Sequence, residues 1–373
     1  MSPTRWPAAP VVVHPLTVAV PPAAAAPKRF DLQAHRGGLA RYPENTLAAF
    51  GDALRLGVST LELDVHISRD GHAVVTHDRR VEAGKCVDTT PATPGDPQFP
   101  YVGELVHTLT LDQLRTIDCG SRTHPRFPGQ VPVPGARMPL LREVFDLLVR
   151  HRAHDVTVNV ELKVHAGAPS ETAPRERFVR VVADHVRAAG MLPRVTIQSF
   201  DWATLMLMRR VEPRLPITAL IDHDSLRADA SGISPWLGGL DLADFGGDPV
   251  AAVHSFGVDA FAPVHGFPEG GGVNNAGYRP YVTRDLVRRA HGYGIPVIPW
   301  TVDDPDTMNK LLDDGVDGII TNRPDVLRTV LAARLLPLPA PAGRDAADVE
   351  WTAFGPTDDA RIPCLGVPAA SGT

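Results

Sequence analysis

Cysteine is scarce: Cys86, Cys119 and Cys364 are the three in 373 residues. That excludes a disulfide-dense scaffold and a structural zinc-finger framework. Positive charge is short as well. Lysine and arginine number 37 against 43 aspartates and glutamates, a net charge of −6 at pH 7, so the chain has no overall basic character with which to meet nucleic acid. It has no run of 18 consecutive apolar residues, and no transmembrane helix is expected. At 43% hydrophobic and 21% charged residues, the composition supports a globular core and argues against wholesale disorder. Proline is in excess, with 37 residues concentrated at the two ends and in a few loops.

The ends differ from the body. Residues 1–28 carry Arg5, a weakly apolar stretch and the small residues Ala23 to Ala26. This reads either as a degenerate secretory signal or, because His14, Pro15, Pro21 and Pro22 interrupt it, as a disordered Pro/Ala leader. From Pro337 to Thr373 the periodicity is lost and an extended Pro/Ala-rich tail is expected. That leaves 29–336 as the folded body. Cys86 and Cys119 fall in a loop-like region, either as a disulfide suited to an extracytoplasmic enzyme or as two buried free thiols. A secreted or cell-envelope location is the expectation, with a cytoplasmic one as the alternative.

Within the body, short β-type runs alternate with helical spacing. Strands are expected at Phe30–Ala34, Thr60–Ser68, Ala73–Thr76, Val156–Leu162, Val195–Ile197, Ile217–Ile221, Ala260–Ala262, Val297–Pro299 and Gly318–Thr321. Helices are expected near 45–56, 140–149, 171–189, 201–211, 248–256, 282–293, 304–313 and 324–334, with one short helix near Leu111–Ile117 in an otherwise Pro-, Gly- and Thr-rich stretch. Alternation over about 300 residues indicates a parallel α/β fold. A doubly wound sheet and a (β/α)8 barrel both fit the pattern. A strand count near eight favours the barrel, and His35-Arg36-Gly37-Gly38 lacks the GxGxxG spacing of a dinucleotide binder.

Four clusters at strand ends carry the chemistry. His35 and Arg36 close the first strand and precede Pro43-Glu44-Asn45-Thr46; Asn45 or Thr46 can cap the next helix. Glu62 and Asp64 alternate with leucines on one strand, so both carboxylates share a face. Burying two unpaired carboxylates is costly, and a hard divalent cation such as Mg2+ or Ca2+ relieves that cost. His77 closes the returning strand and can pair with His35 in acid–base work. Asn159, Glu161 and Lys163 share a face, offering a third carboxylate and a point charge for phosphate. Taken singly, each cluster also has a plain structural reading: a strand-end histidine, a helix cap or a rim ion pair. Taken together they describe metal-dependent cleavage of a phosphodiester.

At these residues the sequence resembles the glycerophosphodiester phosphodiesterase family. The likeness runs from HRG at 35–37 and PENT at 43–46 through ELD at 62–64, THD at 76–78 and VELK at 160–163. It continues in IQSF at 197–200, PWTV at 299–302 and GIITNRP at 318–324. The resemblance implies a TIM barrel with a small insertion after the second strand, here about 79–136. It implies hydrolysis of small-molecule glycerophosphodiesters to sn-glycerol 3-phosphate and an alcohol. By position, His35 and His77 would be the acid–base pair, Glu62, Asp64 and Glu161 the cation ligands, and Arg36 and Lys163 the phosphate holders. Glu44 would brace the first cluster, Gln198 line the pocket and Trp300 wall the glycerol side. The family route has the glycerol 2-hydroxyl attack phosphorus, after which water opens a cyclic ester. A phospholipase D-like enzyme acting on lysophospholipids or sphingolipids through the same site is the runner-up. A barrel reused for binding would be expected to have lost a key residue, and none is lost here. The glycine-rich loop at 266–277 is expected to be a mobile cover, with His265 packing inside the loop.

Overall fold

The structure is a computed structural model describing residues 29–230 and 232–343; the leader and all but the first seven residues of the expected tail lie outside them. The elements are β1 (Asp31–Ala34), α1 (Leu47–Leu56), β2 (Thr60–Ile67), β3 (Ala73–Val75), α2 (Leu111–Leu114) and α3 (Leu141–Arg150). Next come β4 (Thr157–Leu162), α4 (Arg175–Ala188), β5 (Val195–Ser199), α5 (Trp202–Val211), β6 (Ile217–Ile221), α6 (Pro249–Ser255) and β7 (Ala260–Pro263). A small hairpin, β8 (Gly266–Phe267) with β9 (Arg279–Pro280), precedes α7 (Arg284–Gly292), α8 (Pro305–Asp314), β10 (Gly318–Thr321) and α9 (Pro324–Ala333).

The main sheet runs β10-β1-β2-β4-β5-β6-β7 in parallel, with β3 folded back antiparallel on β2. Residues 296–302 close the ring between β7 and β10. Val297 bridges Phe261, Trp300 bridges Val264, and the carbonyls of Pro296 and Pro299 accept from Phe261 N and Ile320 N at 2.9 and 3.0 Å. The strand expected at Val297–Pro299 is therefore present as a stave of isolated bridges. Pro299 has no N–H to donate, so the ladder stays discontinuous. The barrel is complete with eight parallel staves.

Alternation along β2 sets the two layers. Leu61, Leu63 and Val65 join the apolar layer under the helices, which α1, α3 and α4 cover with Phe50, Leu54, Val144, Leu148, Phe178 and Val182. Glu62, Asp64 and His66 occupy the other face and are nonetheless buried. The insertion between β3 and α3 has its own core of Val81, Tyr101, Val106, Leu109, Leu114 and Ile117. Cys86 and Cys119 are bonded within it, with Cα atoms 4.1 Å apart. After α9 the chain packs back on the barrel, where Ala342 N donates to Leu54 O at 2.8 Å.

Candidate active site

β1 delivers its residues through a tight 3-10 turn, His35–Gly37. Arg36 takes a left-handed φ of 51°. Gly37 is needed because a Cβ there would stand 2.8 Å from that of Ala49. The turn aims Arg36 N at Glu62 Oε2 (2.9 Å) and the guanidinium at Glu44, at 3.1 Å. Arg36 Nε lies 3.3 Å from Asp64 Oδ2. Thr46 takes the cap of α1, accepting from Ala49 N at 3.2 Å. That leaves Asn45 free to donate to Asp64 Oδ2 at 2.9 Å.

Register brings the carboxylates together, since Asp64 faces Glu161 across β2 and β4, and Glu161 faces Gln198 across β4 and β5. One oxygen each from Glu62, Asp64 and Glu161 lies within 4.8 Å of the others. Lys163 Nζ stands 2.7 Å from Glu161 Oε1 and 3.6 Å from Asp64 Oδ1. Gln198 is buried, and its amide is committed to Glu62 Oε1 at 2.8 Å and to Asn159 at 2.8 Å; it orients a carboxylate rather than forming an open pocket wall. Burial and the charges of Asp64 and Glu161 push Glu62 well above the usual carboxylate range. Burial and Asp64, against the pull of Lys163, raise Glu161 to about 7. Burial works against Asp64 too, but His77, Arg36 and Lys163 hold it well below its ordinary value. Asp64 Oδ1 is buried and accepts no hydrogen bond. Two carboxyls resisting ionisation beside an oxygen with no donor form a hard-oxygen set that fits a divalent cation.

Both imidazoles are neutral and oriented. Burial, then Arg36, lowers His35 to about 3; burial, then Arg36 and Lys163, lowers His77 to about 4. Asn322 donates from Nδ2 to Asp303 at 2.8 Å, which turns its Oδ1 towards His35 Nδ1 at 2.6 Å. Because that oxygen can only accept, the His35 proton resides on Nδ1 and Nε2 keeps its lone pair. Asp78 does the same for His77, with Oδ1 2.8 Å from Nδ1. His66 Nε2 lies 3.2 Å from the His77 carbonyl.

A cavity of about 330 Å3 opens over this floor, lined by His77, Glu161, Lys163, Phe200 and Trp236 among others. Trp300 packs edge-on to Phe200, with centroids 5.3 Å apart, and donates to the Ala262 carbonyl at 2.9 Å. The structure thus gathers His35, Arg36, Glu44, Glu62, Asp64, His77, Glu161, Lys163 and Gln198 in one network of contacts and sets Trp300 beside the mouth. Sequence reasoning gave no role to Asp303, Asn322, Asp78 or Lys85. Asn322 and Asp78 stand inside the quoted motifs, whereas nothing local marks Asp303 or Lys85. His265 packs in its own loop, between Tyr278 OH (2.8 Å) and Glu269 O (2.9 Å). That loop is pinned to the start of α8 through Val273 N and Thr307 Oγ1, 3.0 Å apart.

Two neutral imidazoles, buried cations and clustered carboxylates at the carboxyl end of a parallel barrel suit a phosphoric diester hydrolase. The family model for the glycerophosphoryl diester phosphodiesterase family matches residues 35–326, and the chain belongs to that family. A Caldanaerobacter subterraneus glycerophosphodiester phosphodiesterase is 28% identical over 79% of this chain and 94% of its own. A Mycobacterium tuberculosis protein provisionally named glycerophosphodiester phosphodiesterase 2 is 31% identical over 81% of this chain and 90% of its own. A Silicibacter pomeroyi crystal structure with a provisional name in the same family superposes with a TM-score of 0.67 at 29% identity, covering 83% of this chain and 96% of that one. Among the described residues no helix is long and apolar enough to cross a membrane.

Proposed function

We propose that the protein hydrolyses glycerophosphodiesters to sn-glycerol 3-phosphate and an alcohol, with Glu62, Asp64 and Glu161 holding one Mg2+ or Ca2+ ion. The observation that carries this reading is the buried carboxylate triad whose Asp64 Oδ1 lacks any hydrogen-bond donor. The bound cation supplies positive charge for a phosphate oxygen and for the glycerol hydroxyl. Arg36 and Lys163 add two fixed positive centres for the phosphoryl group. Of the two imidazoles, one accepts the proton of the attacking glycerol hydroxyl at Nε2 and the other protonates the leaving oxygen; water then opens the cyclic ester, with the two roles reversed, to give glycerol 3-phosphate. The negative charge of the substrate favours the protonated form of one ring once it is bound. Trp300, Phe200 and Trp236 give the mouth an apolar wall for carbon-bound parts of the substrate. The Cys86–Cys119 disulfide supports a secreted or cell-envelope location, since such bonds persist in oxidising compartments.

The test is a product assay on glycerophosphocholine, glycerophosphoethanolamine and lysophosphatidylcholine, before and after chelation. Glycerol 3-phosphate is expected from the first two, activity is expected to vanish with EDTA, and added Mg2+ or Ca2+ is expected to restore it. Full turnover after exhaustive chelation would overturn the metal assignment. Choline release from the lysolipid alone would favour a phospholipase D-like enzyme. His35→Ala and His77→Ala are each expected to lower kcat by roughly 10^2–10^4.

A further inference from the structure

A second three-donor set lies beside the first. One ligand atom from each of Glu44, His77 and Asp78 falls within 4.8 Å of the other two. This set already contains a positive charge: Lys85 Nζ stands 2.8 Å from Glu44 Oε1 and 2.5 Å from Asp78 Oδ2. The two carboxylates come from separate loops, after β1 and after β3, and each is committed on its far side as well. Glu44 meets the Arg36 guanidinium at 3.1 Å, and Asp78 accepts from His77 Nδ1 at 2.8 Å. An unbroken line of charge therefore runs Arg36–Glu44–Lys85–Asp78 and ends on the neutral His77 imidazole. Removing its central cation would leave two carboxylates repelling each other, and Asp78 would lose the partner that holds it against the imidazole.

We propose that Lys85 is a built-in cation, an ammonium group occupying a place that a second divalent ion would otherwise take, and that it positions His77 through Asp78. The backbone delivers it there. Lys85 N and Cys86 N both donate to Glu82 O, at 3.0 and 2.9 Å. Cys86 is bonded to Cys119, and Val87 pairs with Asp118 across the insertion at 2.7 and 2.9 Å. A tethered ammonium has a high effective concentration at its site, and it bridges both carboxylates of this set at hydrogen-bond distance, whereas in the triad Lys163 makes such a contact with Glu161 alone and leaves Asp64 Oδ1 without a donor. Lys85 bonds to Glu44 and Asp78 rather than to the triad and does not line the cavity, so it is a positioning residue. The positioning half of the inference rests on the reading of His77 given above; the cation half does not.

The experiment counts Mn2+ bound per folded full-length chain by electron paramagnetic resonance, and measures kcat and KM, for the wild type, Lys85→Ala, Lys85→Gln and Lys85→Arg. Lys85→Ala is expected to bind one Mn2+ more than the wild type. Its kcat is expected to fall about 10–100-fold at nearly unchanged KM. Ethylammonium should recover the loss, whereas the neutral 1-propanol should not. Lys85→Arg should retain most of the turnover, and Lys85→Gln, which conserves the packing, should behave like Lys85→Ala. Equal Mn2+ counts in the wild type and both neutral variants, or a deficit that no cation repairs, would overturn the proposal. An extra Mn2+ in Lys85→Ala together with a wild type that cleaves no glycerophosphodiester would sink the substrate reading and leave the cation inference standing.

Discussion

The amide of Asn322 decides which nitrogen of His35 can take a proton. Asp303 accepts from both the backbone N and the Nδ2 of Asn322, at 2.9 and 2.8 Å. The amide therefore cannot rotate without losing a charge-assisted bond. Its oxygen is thereby fixed as the acceptor for His35 Nδ1, and Nε2 stays basic. Asn322→Ala should lower kcat by roughly 10–100-fold with little change in KM, because the ring loses its tautomer but the phosphate keeps its positive partners. Steady-state kinetics checks this; a KM effect with kcat intact would show that Asn322 binds substrate instead. At this scale the sequence was partly legible. Strand alternation was enough to pair Glu62 with Asp64 and to add Glu161, because side-chain period fixes the face. It could not separate Asn45 from Thr46, since both residue types cap helices. The structure assigns the cap to Thr46 and gives Asn45 to Asp64. Asp303 was invisible because its partner lies 19 residues away along the chain, on the far side of α8.

Elements were more readable than contacts. Helical and strand spacing located the staves to within a few residues, because each β-strand is short, apolar and followed by an amphipathic helix. The stave at 296–302 is the exception, where prolines keep the ladder broken while their carbonyls still close the ring. In the insertion the one short helix expected, near Leu111–Ile117, is present as α2 (Leu111–Leu114), and the rest was legible only as a region poor in periodicity. Its small core is separate from that of the barrel, and the bond between Cys86 and Cys119, 33 residues apart, constrains it. A cross-link of that span contributes about 2–4 kcal/mol to the segment it closes. In Cys119→Ser, hydrogen exchange should quicken across 80–136 while the amides of β1, β2 and β4 stay protected, and kcat should fall as Lys85 loses its anchor. Uniformly faster exchange through the barrel would show instead that insertion and barrel unfold as one unit.

At the scale of the whole molecule, the triad couples stability to pH and to divalent ions. The Glu161 carboxyl, near 4.5 in an unfolded chain, is raised to about 7 in the barrel, and Glu62 is shifted in the same direction. Between those two pH values the native state holds a proton that the unfolded chain has released. The stability contributed by this protonated carboxyl is therefore lost as pH rises from 4.5 towards 7. Asp64, Glu44 and Asp78 carry the opposite sign: their values are depressed in the fold, and the stability they contribute is lost as pH falls below the ordinary carboxylate range. His35 and His77 act in the same sense: lowered to about 3 and 4 from an ordinary 6.5, they contribute stability that is lost as pH falls below 6.5, which opposes the Glu161 contribution between pH 4.5 and 6.5. Under the proposed cation site, a divalent ion would displace the proton and bind the ionised triad. At one hundred times its dissociation constant it stabilises the native state by about 2.7 kcal/mol. Thermal unfolding with and without Mg2+ or Ca2+ should then show a large rise in Tm at pH 8 and almost none at pH 5, where protons hold the site. Glu161→Gln should remove the falling contribution, so that metal-free Tm climbs more steeply between pH 4.5 and 7 than in the wild type, and should weaken the metal effect at pH 8. A metal-induced rise equal at both pH values would place the ion away from these carboxylates.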